Sequence, residues 1–213
     1  MDNYRTKGLR KKLILELQQL GIKDKMVLEA FEKIPRHLFL DSAFLNHAYQ
    51  NKAFPIGQGQ TISHPYTVAF QTELLEIKKE DKILEIGTGS GFQTCILASL
   101  SNHVYTIERI SELSKTAQKR VKQFLLKANF TIGDGSKGLP SIAPFDKIIV
   151  TAGAPTITNE LIQQLAPLGK LVIPVGNKEE QMMYLIEKEL DNRITQKKLT
   201  NFQFVPLIGE NGW

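Results

Sequence analysis

The residues of this chain best suited to chemistry gather at three places where an apolar run ends in an acid, two of them with glycines alongside. The first is Ile83-Leu84-Glu85-Ile86-Gly87-Thr88-Gly89-Ser90-Gly91-Phe92. A strand leading through such glycines into a helix lets a ligand approach the backbone and aims amide N–H groups at it. Two ligand classes use a turn of this kind. A dinucleotide needs G-x-G-x-x-G, with its pyrophosphate on the helix N-terminus. Here the spacing is G-x-G-x-G, and Glu85 precedes the first glycine. A carboxylate repels a pyrophosphate but suits a cation, and S-adenosylmethionine carries both a sulfonium and an ammonium. Val104-Tyr105-Thr106-Ile107-Glu108 supplies a second acid about 20 residues on, where a carboxylate can accept ribose hydroxyls. NAD shares that feature. Ile132-Gly133-Asp134-Gly135 supplies a third acid, placed to accept from an adenine amino group. Three acids at successive strand ends point to S-adenosylmethionine.

The elements that must hold these residues follow from periodicity. Strands are expected at Lys82-Ile86, His103-Ile107, Asn129-Ile132, Lys147-Thr151 and Lys170-Pro174, with helices at Phe92-Leu100, Ser111-Leu126 and Thr158-Leu165. Strands alternating with helices imply βαβ units and a mainly parallel, doubly wound sheet. Met182-Lys188, Arg193-Leu199 and Phe202-Val205 read as further strands, joined by Leu190-Asp191-Asn192 and Thr200-Asn201, and predict an antiparallel edge. Before the sheet, Leu9, Leu13, Leu17 and Leu20 recur at helical spacing up to Gly21. A second helix starts on Asp24, carries Val27, Leu28, Phe31 and Ile34, and ends before Pro35. Arg36 to Ser63 reads as irregular, and a third helix runs from Pro65 to about Ile77. The expected organisation is one α/β domain over 1–213. It comprises a helical and loop extension (1–64), a cofactor-binding core (65–175) and antiparallel strands (176–213).

Composition sets the boundaries of function. Apolar residues at 42% and charged residues at 23% are globular values and argue against disorder. No apolar stretch reaches the roughly 18 residues of a membrane helix, and the charged N-terminus lacks a signal-peptide core. A single cysteine, Cys95, excludes a disulfide framework or cysteine-rich zinc site, and no metal is expected. The net charge of +5 is spread along the chain apart from Lys7 to Lys12 and Lys197-Lys198. That pattern favours a solvated basic surface over a nucleic-acid face.

The glycine loop does not name the methyl acceptor, because one fold serves many. The N/D/S-P-P-Y/F tetrapeptide of amino methylases is absent; Thr151-Ala152-Gly153-Ala154-Pro155 stands in its place. Cys95 lies at an apolar helix position, which suits a core residue better than a nucleophile. The remaining candidate is the stretch Phe54 to Ser63. Ser63 has two readings there, as a hydroxyl donor to an acceptor and as an N-cap ahead of Pro65-Tyr66.

Pro55-Ile56-Gly57, Gln60-Thr61-Ile62-Ser63, Pro65-Tyr66 and Glu73-Leu74-Leu75 resemble the protein-L-isoaspartate (D-aspartate) O-methyltransferase family. The resemblance continues through Glu85 to Gly91, Gly133-Asp134-Gly135, Ala143-Pro144-Phe145-Asp146 and Gln164 to Gly169, and ends with Pro174-Val175-Gly176 and Phe204-Val205-Pro206-Leu207. It implies methylation of the free α-carboxylate of L-isoaspartyl residues in damaged proteins and peptides, S-adenosylhomocysteine being the other product. The ester then closes to a succinimide, whose hydrolysis partly restores aspartate. The resemblance also implies roles. Gln60, Thr61, Ile62 and Ser63 line the cofactor and substrate cleft; Ser90 with Gly87, Gly89 and Gly91 holds the methionine portion, and Glu85 is a further cofactor-binding residue. Glu108 and Arg109 flank the ribose, and Asp134 and Gly135 face the adenine. Ile56 and Val205-Pro206-Leu207 bind the substrate, with Ser63 orienting its carboxylate. A monomeric, cytoplasmic protein acting on neither nucleic acid nor membrane is implied as well. The alternative is a class I methyltransferase acting on RNA or a small molecule. Val68 replaces a polar residue of some relatives, and the chain after Leu207 is too short for a long cofactor cover; Trp213 has two readings, packing over the cleft and, as the expectation, an ordinary frayed terminus.

Overall fold

A computed structural model describes residues 2–213. α1 (Tyr4–Gln19) buries Leu13 and Leu17. α2 (Lys25–Lys33) starts where Asp24 accepts from the N–H groups of Met26 and Val27, at 2.8 and 3.3 Å. Val27, Leu28 and Phe31 turn inward as their spacing requires. Glu73, farther along, accepts from Lys23 and Asp24 N–H at 2.6 Å each and so ties down the turn between the two helices.

The stretch expected to be irregular contains a hairpin, β1 (Phe54–Gly57) paired antiparallel with β2 (Gln60–Ile62). Its central residues, Gln58 and Gly59, both have positive φ, the arrangement whose twist suits a two-residue hairpin. Glutamine rarely adopts that backbone, which hid the turn in the sequence. α3 (Pro65–Leu74) begins at the expected proline but stops before Ile77, because Glu76 turns the chain with φ +50°.

The alternating region forms in the expected order: β3 (Lys82–Ile86), α4 (Phe92–Leu100), β4 (His103–Glu108), α5 (Ser111–Gln123), β5 (Asn129–Ile132), β6 (Phe145–Val150), the short α6 (Asn159–Gln163) and β7 (Leu165–Gly176). Two bounds differ: α5 stops short of Leu126, where Leu125 takes φ +56°, and β7 begins at Leu165, which was expected to end a helix. β8 (Gln181–Lys188) and β9 (Ile194–Phe202) complete a seven-stranded sheet of order β5-β4-β3-β6-β7-β8-β9. Pairing is parallel from β5 to β7 and antiparallel beyond. Strand neighbours separate into faces as the pleat demands. Leu84 and Ile86 pack with Ile148 and Val150, whereas Ile83 packs with Val104 and Ile149 on the other side.

One strand expectation is corrected. Arg193-Leu199 and Phe202-Val205 are not two strands, since β9 runs through Thr200-Asn201 to Phe202. A bulge opposite β8, between Met182 and Tyr184, absorbs the extra residue that looked like a turn. The chain then leaves the sheet edge, and Val205–Leu207 hangs on Gly153. Gly153 N–H donates to Val205 O and Leu207 N–H to Gly153 O, both at 2.8 Å.

The chain moves outward from β3 to β4 and β5 before returning to β6. That reversal opens a crevice at the carboxyl ends of β3, β4 and β6, where ligands of such sheets bind.

Candidate active site

A cleft of about 830 Å³, counting its open mouth, occupies this crevice. Its floor is Ile86 to Ser90 with Ile107 to Ile110; Gln60 to Ser63 and the first turns of α3 and α4 form one wall, and Val205 to Ile208 another. Of the residues singled out in the sequence, Gln60, Thr61, Ile62, Ser63, Gly87, Gly89, Ser90, Glu108, Arg109, Gly135, Val205, Pro206 and Leu207 come together on its surface.

The glycine loop is shaped by what touches it. Gly87 has φ +98°, and a Cβ there would meet Thr151 Oγ1 at 2.4 Å. Gly91 does not face the cleft; its φ is +83°, and a Cβ would strike Ala117 of α5 at 2.9 Å. Its absent side chain serves helix packing. Ile56 also lies off the cleft surface, its Cδ1 3.6 Å from the Cβ position of Gly89.

Glu108 accepts from Gly89 N–H at 3.0 Å and from Ile110 N–H at 2.9 Å, one bond per oxygen. Each oxygen keeps a lone pair for a further donor. Glu85 departs from the expected role of facing a cationic ligand. It is completely buried beneath the loop and accepts from Thr94 Oγ1 at 2.5 Å. Burial pushes its pKa up to about 8 despite the Thr94 bond, so the carboxyl is mainly neutral at pH 7.

Asp134 is turned toward the chain end. It accepts from Ser136 N–H and Oγ and, at 2.8 Å, from Glu210 N–H. Burial would raise its pKa, but the Glu210 and Ser136 bonds hold it below the ordinary carboxylate value. The tail does not fray as expected. Trp213 N–H donates to Leu207 O at 2.8 Å and its indole Nε1 to Gly153 O at 3.1 Å, while Lys178 lies over the ring.

Ser63 is half-buried, and among the described residues no group bonds its hydroxyl. The N-cap of α3 is His64, which makes no side-chain bond, and the first-turn N–H of Tyr66 is taken by Asn51 Oδ1 at 3.0 Å. Burial, then the nearby Arg36 charge, lowers the His64 pKa, so that ring brings no charge beside Ser63. Cys95 is buried, its thiol pushed up to about 12 by desolvation, consistent with a core residue.

Sequence reasoning missed Gln71, Thr88, Gln93, Thr151 and Ile208, which also line the cleft. The signal for the glutamines was their type, polar residues among apolar neighbours of α3 and α4. Gln71 Nε2 donates to Val150 O at 2.9 Å and Gln93 Nε2 to Thr72 Oγ1 at 3.0 Å. Gln93 Oε1 is buried with no partner among the described residues, a state that costs about 1–3 kcal/mol unless a ligand supplies a donor.

Residues 8–212 match the family model described as Protein-L-isoaspartate(D-aspartate) O-methyltransferase. The chain belongs to this family. It is 50% identical over 212 residues to the protein-L-isoaspartate O-methyltransferase of Cytophaga hutchinsonii, covering 100% of this chain and 96% of the relative. It is 53% identical over 208 residues to that of Flavobacterium johnsoniae, covering 97% of each. Among solved structures, a protein-L-isoaspartate O-methyltransferase superposes with TM-score 0.85 at 26% identity, over 95% of this chain and 67% of the other. One from Plasmodium falciparum, in complex with S-adenosyl-L-homocysteine, has the same fold, with TM-score 0.81 at 24% identity over 93% and 98%. As a protein-L-isoaspartate O-methyltransferase, the chain is an S-adenosylmethionine-dependent enzyme whose substrates are isoaspartyl-containing proteins.

The residues present fit that cofactor. A cradle that a Cβ at Gly87 would obstruct lies beside a carboxylate, Glu108, held by two amides with lone pairs to spare. Among the described residues no cluster of three His, Cys, Asp or Glu could hold a metal, and no helix is long and apolar enough to cross a membrane.

Proposed function

We propose that this cleft, within a single catalytic domain, joins the isoaspartyl carboxylate to the methyl donor chiefly by positioning, with Ser63 as the orienting donor. The observation that carries this reading is the unspent Ser63 hydroxyl on the wall of a glycine-loop cleft. A carboxylate of pKa about 4 is already ionised at pH 7, so no general base is required. S-adenosylmethionine, when bound, supplies an electrophilic methyl on a sulfonium. The protein must bring one carboxylate oxygen in line with it and keep water away.

The proposed division of work follows the cleft. Glu108 takes the ribose hydroxyls, Arg109 flanks them, and Gly87, Gly89 and Ser90 cradle the methionine portion. Gly135 and the rim near Asp134 meet the adenine, Asp134 reaching it only if Glu210 shares the carboxylate. Gln60, Thr61 and Ile62 close the wall beside Ser63, while Val205-Pro206-Leu207 presents backbone to the acceptor peptide. Glu85 and Gly91 support the loop from beneath, and Ile56 backs Gly89. We further propose that the enzyme acts as a cytoplasmic monomer without nucleic-acid or membrane partners.

The test is transfer of a labelled methyl to two peptides differing only in isoaspartate or aspartate at one position. Base-labile label on the isoaspartyl peptide alone is expected. Label on neither, with the cofactor still bound, would sink the acceptor assignment.

A further inference from the structure

Gln93 stands in the first turn of α4, just after the glycine loop, and lines the cleft although only 8% exposed. Its amide orientation is fixed by a chain of bonds. Thr72 Oγ1 donates its one proton to Val68 O at 2.7 Å, so toward Gln93 it can only accept. Gln93 Nε2 fills that role at 3.0 Å, which leaves Oε1 as the free end of the amide. Other buried atoms without partners, Arg10 Nε, Arg36 Nη1, Glu85 Oε1 and Thr158 Oγ1, belong to residues off the cleft.

We propose that Gln93 Oε1 is the acceptor for the α-ammonium group of the cofactor's methionine portion. This rests on the reading of the cleft as the S-adenosylmethionine site. A buried carbonyl-type oxygen calls for an N–H donor, and the ammonium carries three. The carboxylate that the sequence offers to this cation, Glu85, is sealed under the loop against Thr94. Glu108, at the end of β4, keeps its spare lone pairs for the ribose hydroxyls. Gln93 Oε1 is the buried side-chain acceptor on the cleft lining that has no partner among the described residues. A backbone N–H of the acceptor peptide is the competing donor, but the peptide wall at 205–207 hangs from Gly153 beyond β6, not from α4.

Calorimetry separates these cases. S-adenosylhomocysteine and its analogue lacking the α-amino group are titrated into the wild type, Gln93→Met and Gln93→Glu, with melting curves to verify folding. In the wild type, removal of the amino group is expected to weaken binding about tenfold or more. In Gln93→Met the same removal should change affinity less than about twofold, the loss having been taken by the variant. Gln93→Glu keeps an acceptor and, with its carboxyl protonated, also the donor that Thr72 requires, so titration at mildly acidic pH should restore discrimination. Equal weakening of both ligands by Gln93→Met would mark a structural role and overturn the proposal. So would an unchanged amino-group effect, or a raised peptide KM with S-adenosylhomocysteine affinity intact. A wild type that binds neither ligand would instead sink the cofactor reading on which the proposal rests.

Discussion

A hydroxyl has one proton to give, so whether Ser63 is spent on its helix decides what else it can do. Asn51, not Ser63, satisfies the Tyr66 amide at the start of α3. Ser63→Ala should therefore cost little stability, since no bond is lost. Its kcat/KM for an isoaspartyl peptide should fall roughly 10- to 100-fold, the worth of one hydrogen bond to a charged group. S-adenosylhomocysteine affinity, read by calorimetry, should stay within about twofold; a matching loss there would make Ser63 a cofactor residue only. Glu85 yields a different prediction. Its pKa rises from 4.5 to about 8 on folding, so between those values the folded state holds more protons than the unfolded one. Stability from this group is fully present below about pH 4.5 and is lost as pH rises through 8. The loss is on the order of 3–5 kcal/mol for a shift this large. Urea unfolding at pH 5 and pH 8 should show the decline in the wild type and a flatter profile in Glu85→Gln, whose amide does not ionise. Parallel profiles would show that other groups set the dependence.

At the level of elements, the glycine loop and the tail make opposite demands on the sequence. The loop was legible because its glycines announce a backbone that few other residues accept; β3, α4 and β4 around it follow from plain periodicity. Gly87→Ala should lower both the melting temperature and cofactor affinity, because its φ is left-handed and its Cβ would sit 2.4 Å from Thr151 Oγ1. Unchanged calorimetric affinity would mean the cradle yields without effect. The hairpin at Phe54–Ile62 was not legible, since Gln58 takes a backbone its residue type disfavours. Nor was the burial of Glu85, which depends on how α4 places Thr94 over β3, a tertiary fact that local pattern does not carry. The order of the tail is not legible locally for the same reason. Its order comes from Gly153, Asp134 and Ser136, all distant in sequence. The Trp213 indole holds Gly153 O, a bond that alanine lacks although the backbone bond to Leu207 can persist, so Trp213→Ala should loosen the 205–207 wall. Peptide KM should rise several-fold while S-adenosylhomocysteine affinity changes little. The reverse split would place the tail's role at the cofactor.

Across the whole molecule the cleft is a seam. Ile62, Val68 and Phe92 on its surface belong to the apolar cluster shared with α1 and α2, whereas Ile86, Ile107 and Leu207 belong to the cluster on the opposite sheet face. The N-terminal helices pack into the same cluster as the helix after the glycine loop: Leu13 and Phe31 share it with Cys95 and Ile96 of α4. A ligand filling the seam contacts both clusters and binds only when both are formed, so its binding energy must stabilise the entire fold in one step. At a concentration of S-adenosylhomocysteine 100 times its Kd, linkage adds about 2.7 kcal/mol. For a chain of this length that raises the midpoint by roughly 5–10 °C. Two probes can watch different sides of the seam. Far-ultraviolet circular dichroism reports all helices, including α1 and α2. The fluorescence of Trp213, the single tryptophan, reports the wall at Gly153 and Leu207. The two curves should coincide without ligand and shift together with it. An early dichroism step that the ligand fails to move would show the helical extension melting alone, and would break the argument that the cleft is built jointly from both halves.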